Sequence, residues 1–153
     1  MGQYSATVSW ARHADEAFTD NRYSRAHQWS FDGGATIRAS ASPHVVKVPL
    51  SDPAGVDPEE AFVASLASCH MLFFLSFAAS KRFLIDSYVD NAVGYLEKNA
   101  AGRQAMTRVV LRPSIRFSGT PPTPDELRAL HDRAHHECYI ANSVTTNVEI
   151  EPS

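Results

Sequence analysis

The chain has 153 residues, enough for one domain with a real core. Apolar residues make up 44% of it and charged residues 20%, the mix of a globular chain rather than a disordered one. A net charge of −3, with no block of like charge, argues against nucleic acid or an anionic membrane surface as partner.

The opening "MGQYSATVSWARHADE" has no apolar signal region, so cytoplasmic residence is the expectation. Tyr4, Ala6, Val8 and Trp10 alternate and predict an opening strand. "FTDNRYSRA" is polar and reads as a loop. "HQWSFDGGATIRASA" reads as a hairpin, with Asp32-Gly33-Gly34 as its tight turn. "SPHVVKVPLSDPAGV" carries three prolines and a glycine and should be irregular.

"DPEEAF" then opens the main helix. Asp57 is placed as N-cap, Pro58 at the first helical position, and Glu60 at the spacing of a capping box. The segment Ala61 to Ala79 has 19 residues without a formal charge, near the length of a membrane span. It also holds Ser65, Ser68, His70 and Ser76, follows two glutamates, and has no companion span. It reads as a core helix buried on nearly all sides, ending near Lys81-Arg82. A helix so apolar is hard to cover in one small domain, which points to a homodimer with this helix between subunits.

"SYVDNAVGYLEKN" reads as a strand and "NAAGRQA" as a turn. "MTRVVLRPSIRF" reads as one strand, with Val109, Leu111, Ile115 and Phe117 on one face, arginines on the other, and an edge or bulge at Pro113. Thr123, Pro124 and Glu126 announce a second helix through a capping box. "VTTNVEIE" alternates as a closing strand. The order of elements is that of a single α+β domain over residues 1–153.

The chemistry turns on two cysteines, Cys69 in "SLASCHMLFFL" and Cys138 in "AHHECYIANS". A static disulfide is uncommon in the cytoplasm, so catalysis, redox sensing or plain packing are the alternatives. His131, His135 and Cys138 share one helical face and could offer zinc two imidazoles and a thiolate, though the motif lacks a second metal-binding pair. Cys69 and His70 are not a dyad, because successive helical residues diverge by about 100°. His70 should instead meet a neighbouring element, as a core histidine or a catalytic one. For redox work, Cys69 needs a cation, an acid to orient it, and a second thiol to resolve a sulfenic acid. Arg22 and Arg25, Glu59 and Glu60, and Cys138 are the available groups.

"DPEEAFVASLASCH", the widely spaced cysteines, "MTRVVLRPSIRF" and the closing "CYIANSVTTNV" resemble the OsmC/Ohr superfamily, the osmotically inducible protein C and organic hydroperoxide resistance proteins, from about Tyr23 onward. The resemblance implies antiparallel sheets around a long buried helix, an intertwined homodimer, and a thiol peroxidase acting on organic hydroperoxides. It implies that Cys69 is the peroxidatic cysteine, Cys138 the resolving one, and Glu59 the acid that orients an arginine. Arg25, or Arg22 close by, would be that arginine. An external dithiol, a lipoyl group in the family, would regenerate the enzyme, and no cofactor is called for.

The chain departs from the family at His70, at "CYI" where a proline often follows the second cysteine, and in "RAHQWSFDGG". These departures leave substrate preference and reductant open. Glu59 and Cys69 would stand about 15 Å apart on a straight helix. They can share a site only through a helix break, a bridging arginine loop, or a second subunit. Phe62, Leu72, Phe73, Phe74 and Phe77 could wall an apolar substrate site, with core packing as the plainer role. The rival functions are a non-catalytic or metal-binding protein on the same fold, and a thiol hydrolase or transferase using Cys69 alone.

Overall fold

A computed structural model describes residues 1–153, with two helices and eight strands in α+β arrangement. The chain divides into two compact units, Met1–Ala61 and Phe62–Ser153.

In the first unit, β1 (Ala6–Ser9), β2 (His27–Phe31) and β3 (Thr36–Ala39) form an antiparallel sheet in the order β1-β2-β3. The predicted Asp32–Gly34 turn joins β2 to β3, and Gly34 takes a left-handed φ of 87° that a side chain would resist. The expected loop before β2 is organised by aromatic rings. Phe18 lies 4.7 Å from Tyr23, and Trp10 packs on both, at 5.6 and 5.4 Å between centroids.

Helix α1 (Pro58–Ser80) starts where the sequence predicts. The Glu60 backbone N–H donates to Asp57 Oδ1 at 2.8 Å, and the Asp57 N–H donates to Glu60 Oε2 at 3.1 Å. These two bonds satisfy donors that a helix start leaves open. The helix passes the length and composition test for a membrane span, with a mean hydropathy of 1.8. Contrary to the expectation of burial on nearly all sides, only Leu66, His70, Phe74 and Ala78 are buried, one stripe at four-residue spacing. One small chain covers one face of a helix. Leu72 on another face remains 61% exposed.

The second unit corrects two strand boundaries. The expected strand around residues 87–99 is two strands, β4 (Leu84–Asp90) and β5 (Val93–Lys98), in different sheets. The run expected as one strand from Met106 to Phe117 is also two, β6 (Gln104–Leu111) and β7 (Pro113–Ser118). β4 pairs with β7, while β6 lies between β5 and β8 (Asn147–Ile150), parallel to β8. Pro113 has no N–H to extend the ladder, and the Arg112 N–H turns to Asp90 Oδ1 at 2.7 Å, so the chain changes sheets there.

Helix α2 (Pro124–Glu137) opens with the predicted Thr123–Glu126 capping box and ends on Cys138 as C-cap. A short 3₁₀ turn, Ala141–Ser143, follows. Two apolar clusters result. Leu66 packs with Val109 and Leu111, and Phe74 and Ala78 of α1 pack with Leu130 and Ala134 of α2.

Candidate functional site

The two cysteines meet where α1 passes the end of α2. Both are free thiols, Cys69 half-buried and Cys138 buried. Burial, followed by its hydrogen-bonding neighbour Cys69, pushes the Cys138 thiol up to about 11. The loop after α2 holds Cys138 in place. Its N–H donates to the His135 carbonyl at 3.3 Å, its carbonyl accepts from Asn142 N–H at 3.0 Å, and its sulfur accepts from Ala141 N–H at 3.4 Å.

Cys69 opens onto a 270 Å³ cavity lined by Leu72, Phe73, Ser76 and Tyr139. The four α1 residues fall at i, i+3, i+4 and i+7, one face of the helix. Of the aromatic and leucine residues considered for an apolar wall, Leu72 and Phe73 take that place. Phe74 lies in the core instead, Phe62 packs at the Leu66 cluster, and Phe77 lies under the Arg133 guanidinium at 3.9 Å. Tyr139 meets Phe73 edge-on at 5.0 Å and is 71% exposed. Ser76 was legible from the helical spacing. Tyr139 was signalled only by an aromatic side chain directly after a cysteine.

His70 points away from this cavity, as the helical angle requires, and meets His131 of α2. Its Nε2 lies 3.0 Å from His131 Nδ1, with the ring planes 7° from parallel. Burial pushes His70 down to about 4, with His131 and then His135 adding to the shift. Burial likewise lowers His131 to about 4, against the opposing charge of Asp132. Both rings are therefore neutral at pH 7, and one donates to the other. The remaining ring nitrogens, His70 Nδ1 and His131 Nε2, are buried without a protein partner, as is His135 Nδ1.

This geometry does not favour zinc on His131, His135 and Cys138. No three His, Cys, Asp or Glu side chains converge closely enough to hold an ion.

The expected arginine and acid lie in the first unit. Arg25 is held firmly. Its guanidinium donates to the Tyr23 carbonyl, and to the Asn21 carbonyl and Oδ1 at 3.1 and 3.0 Å. It also stacks 3.7 Å from the Tyr23 ring centroid. Arg22 is exposed, and only its backbone is tied, to Asp20 Oδ1 at 3.0 Å. Glu60 is occupied by the cap of α1, whereas the side chain of half-buried Glu59 makes no hydrogen bond or ion pair. No ion pair joins Glu59 to Arg22 or Arg25. Helix α1 also runs unbroken from Pro58 to Ser80, which removes a helix break as the route from Glu59 to Cys69.

A model of the OsmC-like protein family matches residues 51–153. An OsmC-like protein of unknown function from Vibrio cholerae is 61% identical over 100% of both chains, with a TM-score of 0.98. An organic hydroperoxide resistance protein from Elizabethkingia anophelis is 17% identical, over 99% of this chain and 94% of that one, with a TM-score of 0.71. Another, from Bacillus subtilis, is 16% identical over 99% and 98%, with a TM-score of 0.68. At those identities the last two show likeness of fold alone. No curated protein matches the chain.

Proposed function

The chain belongs to the OsmC-like family, and from that premise we propose that it is a thiol peroxidase reducing organic hydroperoxides to alcohols. The observation that carries this reading is the pair of neighbouring free thiols beside an apolar cavity. The Cys69 thiolate attacks one oxygen of ROOH, the O–O bond breaks, and the other oxygen leaves with R as the alcohol after taking a proton. Cys69 is left as a sulfenic acid. The Cys138 sulfur then attacks the Cys69 sulfur, forming the disulfide and releasing water. An external dithiol, such as a lipoyl group, exchanges with the disulfide, restoring both thiols and becoming a disulfide itself.

Within this reading, Arg25 is the cation that supports the Cys69 thiolate and the peroxide oxygens, with Arg22 as the second choice. Its hold on Asn21 and Tyr23 is the preorganisation such a role needs. Glu59, the acid not used by the helix cap, orients the guanidinium. With α1 unbroken, these groups reach Cys69 through the loop or from a second copy of the chain. The uncovered faces of α1 support a homodimer that buries this helix. Cytoplasmic residence suits a cycle that depends on a dithiol reductant.

The test is to treat reduced protein with one equivalent of cumene hydroperoxide and count thiols and mass. Loss of two thiols and about 2 Da per chain supports the cycle. Unchanged thiols would overturn it. The apolar cavity further predicts faster consumption of an alkyl hydroperoxide than of hydrogen peroxide. Equal rates would remove the organic preference.

A further inference from the structure

The His70–His131 contact has no part in the cycle described above. Histidine is an unusual choice for a seam between two helices. His70 is 1% exposed and His131 3%, and their neighbours are Phe74, Leu130 and Ala134. The pair makes one hydrogen bond and leaves two buried ring nitrogens without a protein partner. Two apolar side chains of similar volume would fill the same space with no unpaired polar atom, and such replacements are often neutral or stabilising. The pair is therefore a poor device for stability. A directional bond across an apolar seam does something packing does not. It fixes how far one helix can slide or turn against the other, as a single buried polar residue fixes register in coiled coils.

The location of the bond makes that register chemically relevant. His70 directly follows Cys69 on α1. His131 lies seven residues before Cys138, two turns back along the same face of α2. The other ring contacts along the seam are Phe73–Tyr139 and Phe74–His131, at 5.0 and 4.4 Å between centroids, and Arg133 over Phe77 at 3.9 Å. None of these is a directional hydrogen bond, so each tolerates sliding better than the His70–His131 bond does. We infer that His70 and His131 are positioning residues for thiol pairing: their hydrogen bond sets α2 against α1 in the register that holds Cys138 beside Cys69. This rests on Cys138 as the resolving thiol. It adds that closure of the disulfide depends on a polar joint on a different face of α1 from the one that lines the cavity.

The experiment equilibrates reduced protein with mixtures of oxidised and reduced glutathione. Each disulfide formed in the protein reduces one oxidised glutathione to two thiols. The closed fraction is read by alkylation and mass, and folding is checked by thermal melting. The chains compared are wild type, His70→Leu/His131→Leu, His131→Leu and His131→Asn, the last keeping a hydrogen-bonding group near the position of Nδ1.

The double variant should fold at least as well as wild type, yet its closure constant should fall on the order of tenfold or more. His131→Asn should remain closer to wild type than His131→Leu does. A folded double variant that closes its disulfide as readily as wild type overturns the inference. Should the double variant not fold, equal constants for His131→Leu and His131→Asn overturn it. So does a wild-type chain that closes at no glutathione ratio. If wild type closes in glutathione but cumene hydroperoxide leaves its thiols intact, the peroxidase reading fails and the positioning role stands.

Discussion

The buried stripe of α1 enters two cores of different construction. Leu66 joins Val109 and Leu111, whose partners across the parallel β6–β8 ladder are Val148 and Ile150. Backbone hydrogen bonds fix that register, because a slip of one residue would turn every side chain to the opposite face. One turn beyond His70, Phe74 and Ala78 join Leu130 and Ala134 of α2, amid Phe73, Phe77 and Tyr88. No ladder spans two helices, so that core relies on side-chain shape, the Arg133–Phe77 stack and the His70–His131 bond to set its register. Side chains can thus do for a helix seam what the backbone does for a sheet, and here they do it beside the two thiols.

The largest effects should come from emptying either core. Phe74→Ala should destabilise by about 3–5 kcal/mol and Leu66→Ala by about 2–5 kcal/mol in denaturant titrations. The comparison sharpens in the glutathione assay. Phe74→Ala should weaken disulfide closure in the molecules that remain folded, whereas Leu66→Ala should leave it near wild type. Equal weakening by both would erase the distinction between the two cores.

Acid should expose the difference next. The unfolded histidines take up protons near pH 6.5, while the folded pair resists until about pH 4. Between those values the unfolded state binds more protons, so stability falls as pH falls, and it levels off below about 4. The loss is on the order of 3 kcal/mol per imidazole. Melting curves from pH 7 to pH 4 should show this in wild type and much less in His70→Leu/His131→Leu. An identical pH dependence would mean that other groups carry it.

Smaller effects concern the sheet side and the cap of α2. A Cβ at Gly94 of β5 would run into Met106 and into Val63 of α1. Gly94→Ala should therefore destabilise by about 1–3 kcal/mol, without changing disulfide closure. Thr123→Ala removes the cap of α2 and should lower stability by about 1 kcal/mol. Both are read by melting, and a closure constant altered by Gly94→Ala would show that the two cores are coupled.

Local signals in the sequence carried far. The Asp57–Glu60 and Thr123–Glu126 spacings fix both helix starts, and Asp32–Gly34 marks its turn, because each is a short-range interaction among neighbours in the chain. The division of residues 104–118 between two sheets was not legible. Val109, Leu111, Ile115 and Phe117 keep one parity throughout; Pro113 signalled only an edge or bulge, and the Arg112–Asp90 bond that accompanies the sheet change joins residues far apart in sequence. At the site, helical spacing put His131, His135 and Cys138 on one face but could not say what faced them. The expectation that His70 meets a neighbouring element is met by His131 of α2. The partner's identity depends on helix packing, which periodicity does not encode.

The end of α2 on Cys138 has one more consequence. Peptide dipoles aligned along a helix gather partial negative charge at its C-terminus, which opposes an anion placed there. Cys69 lies in the middle of α1, away from either end of its own helix. A negative charge on Cys138 is therefore disfavoured, in the same direction as the effect of its burial. In the proposed cycle that field helps to keep Cys138 protonated in reserve until Cys69 has been oxidised.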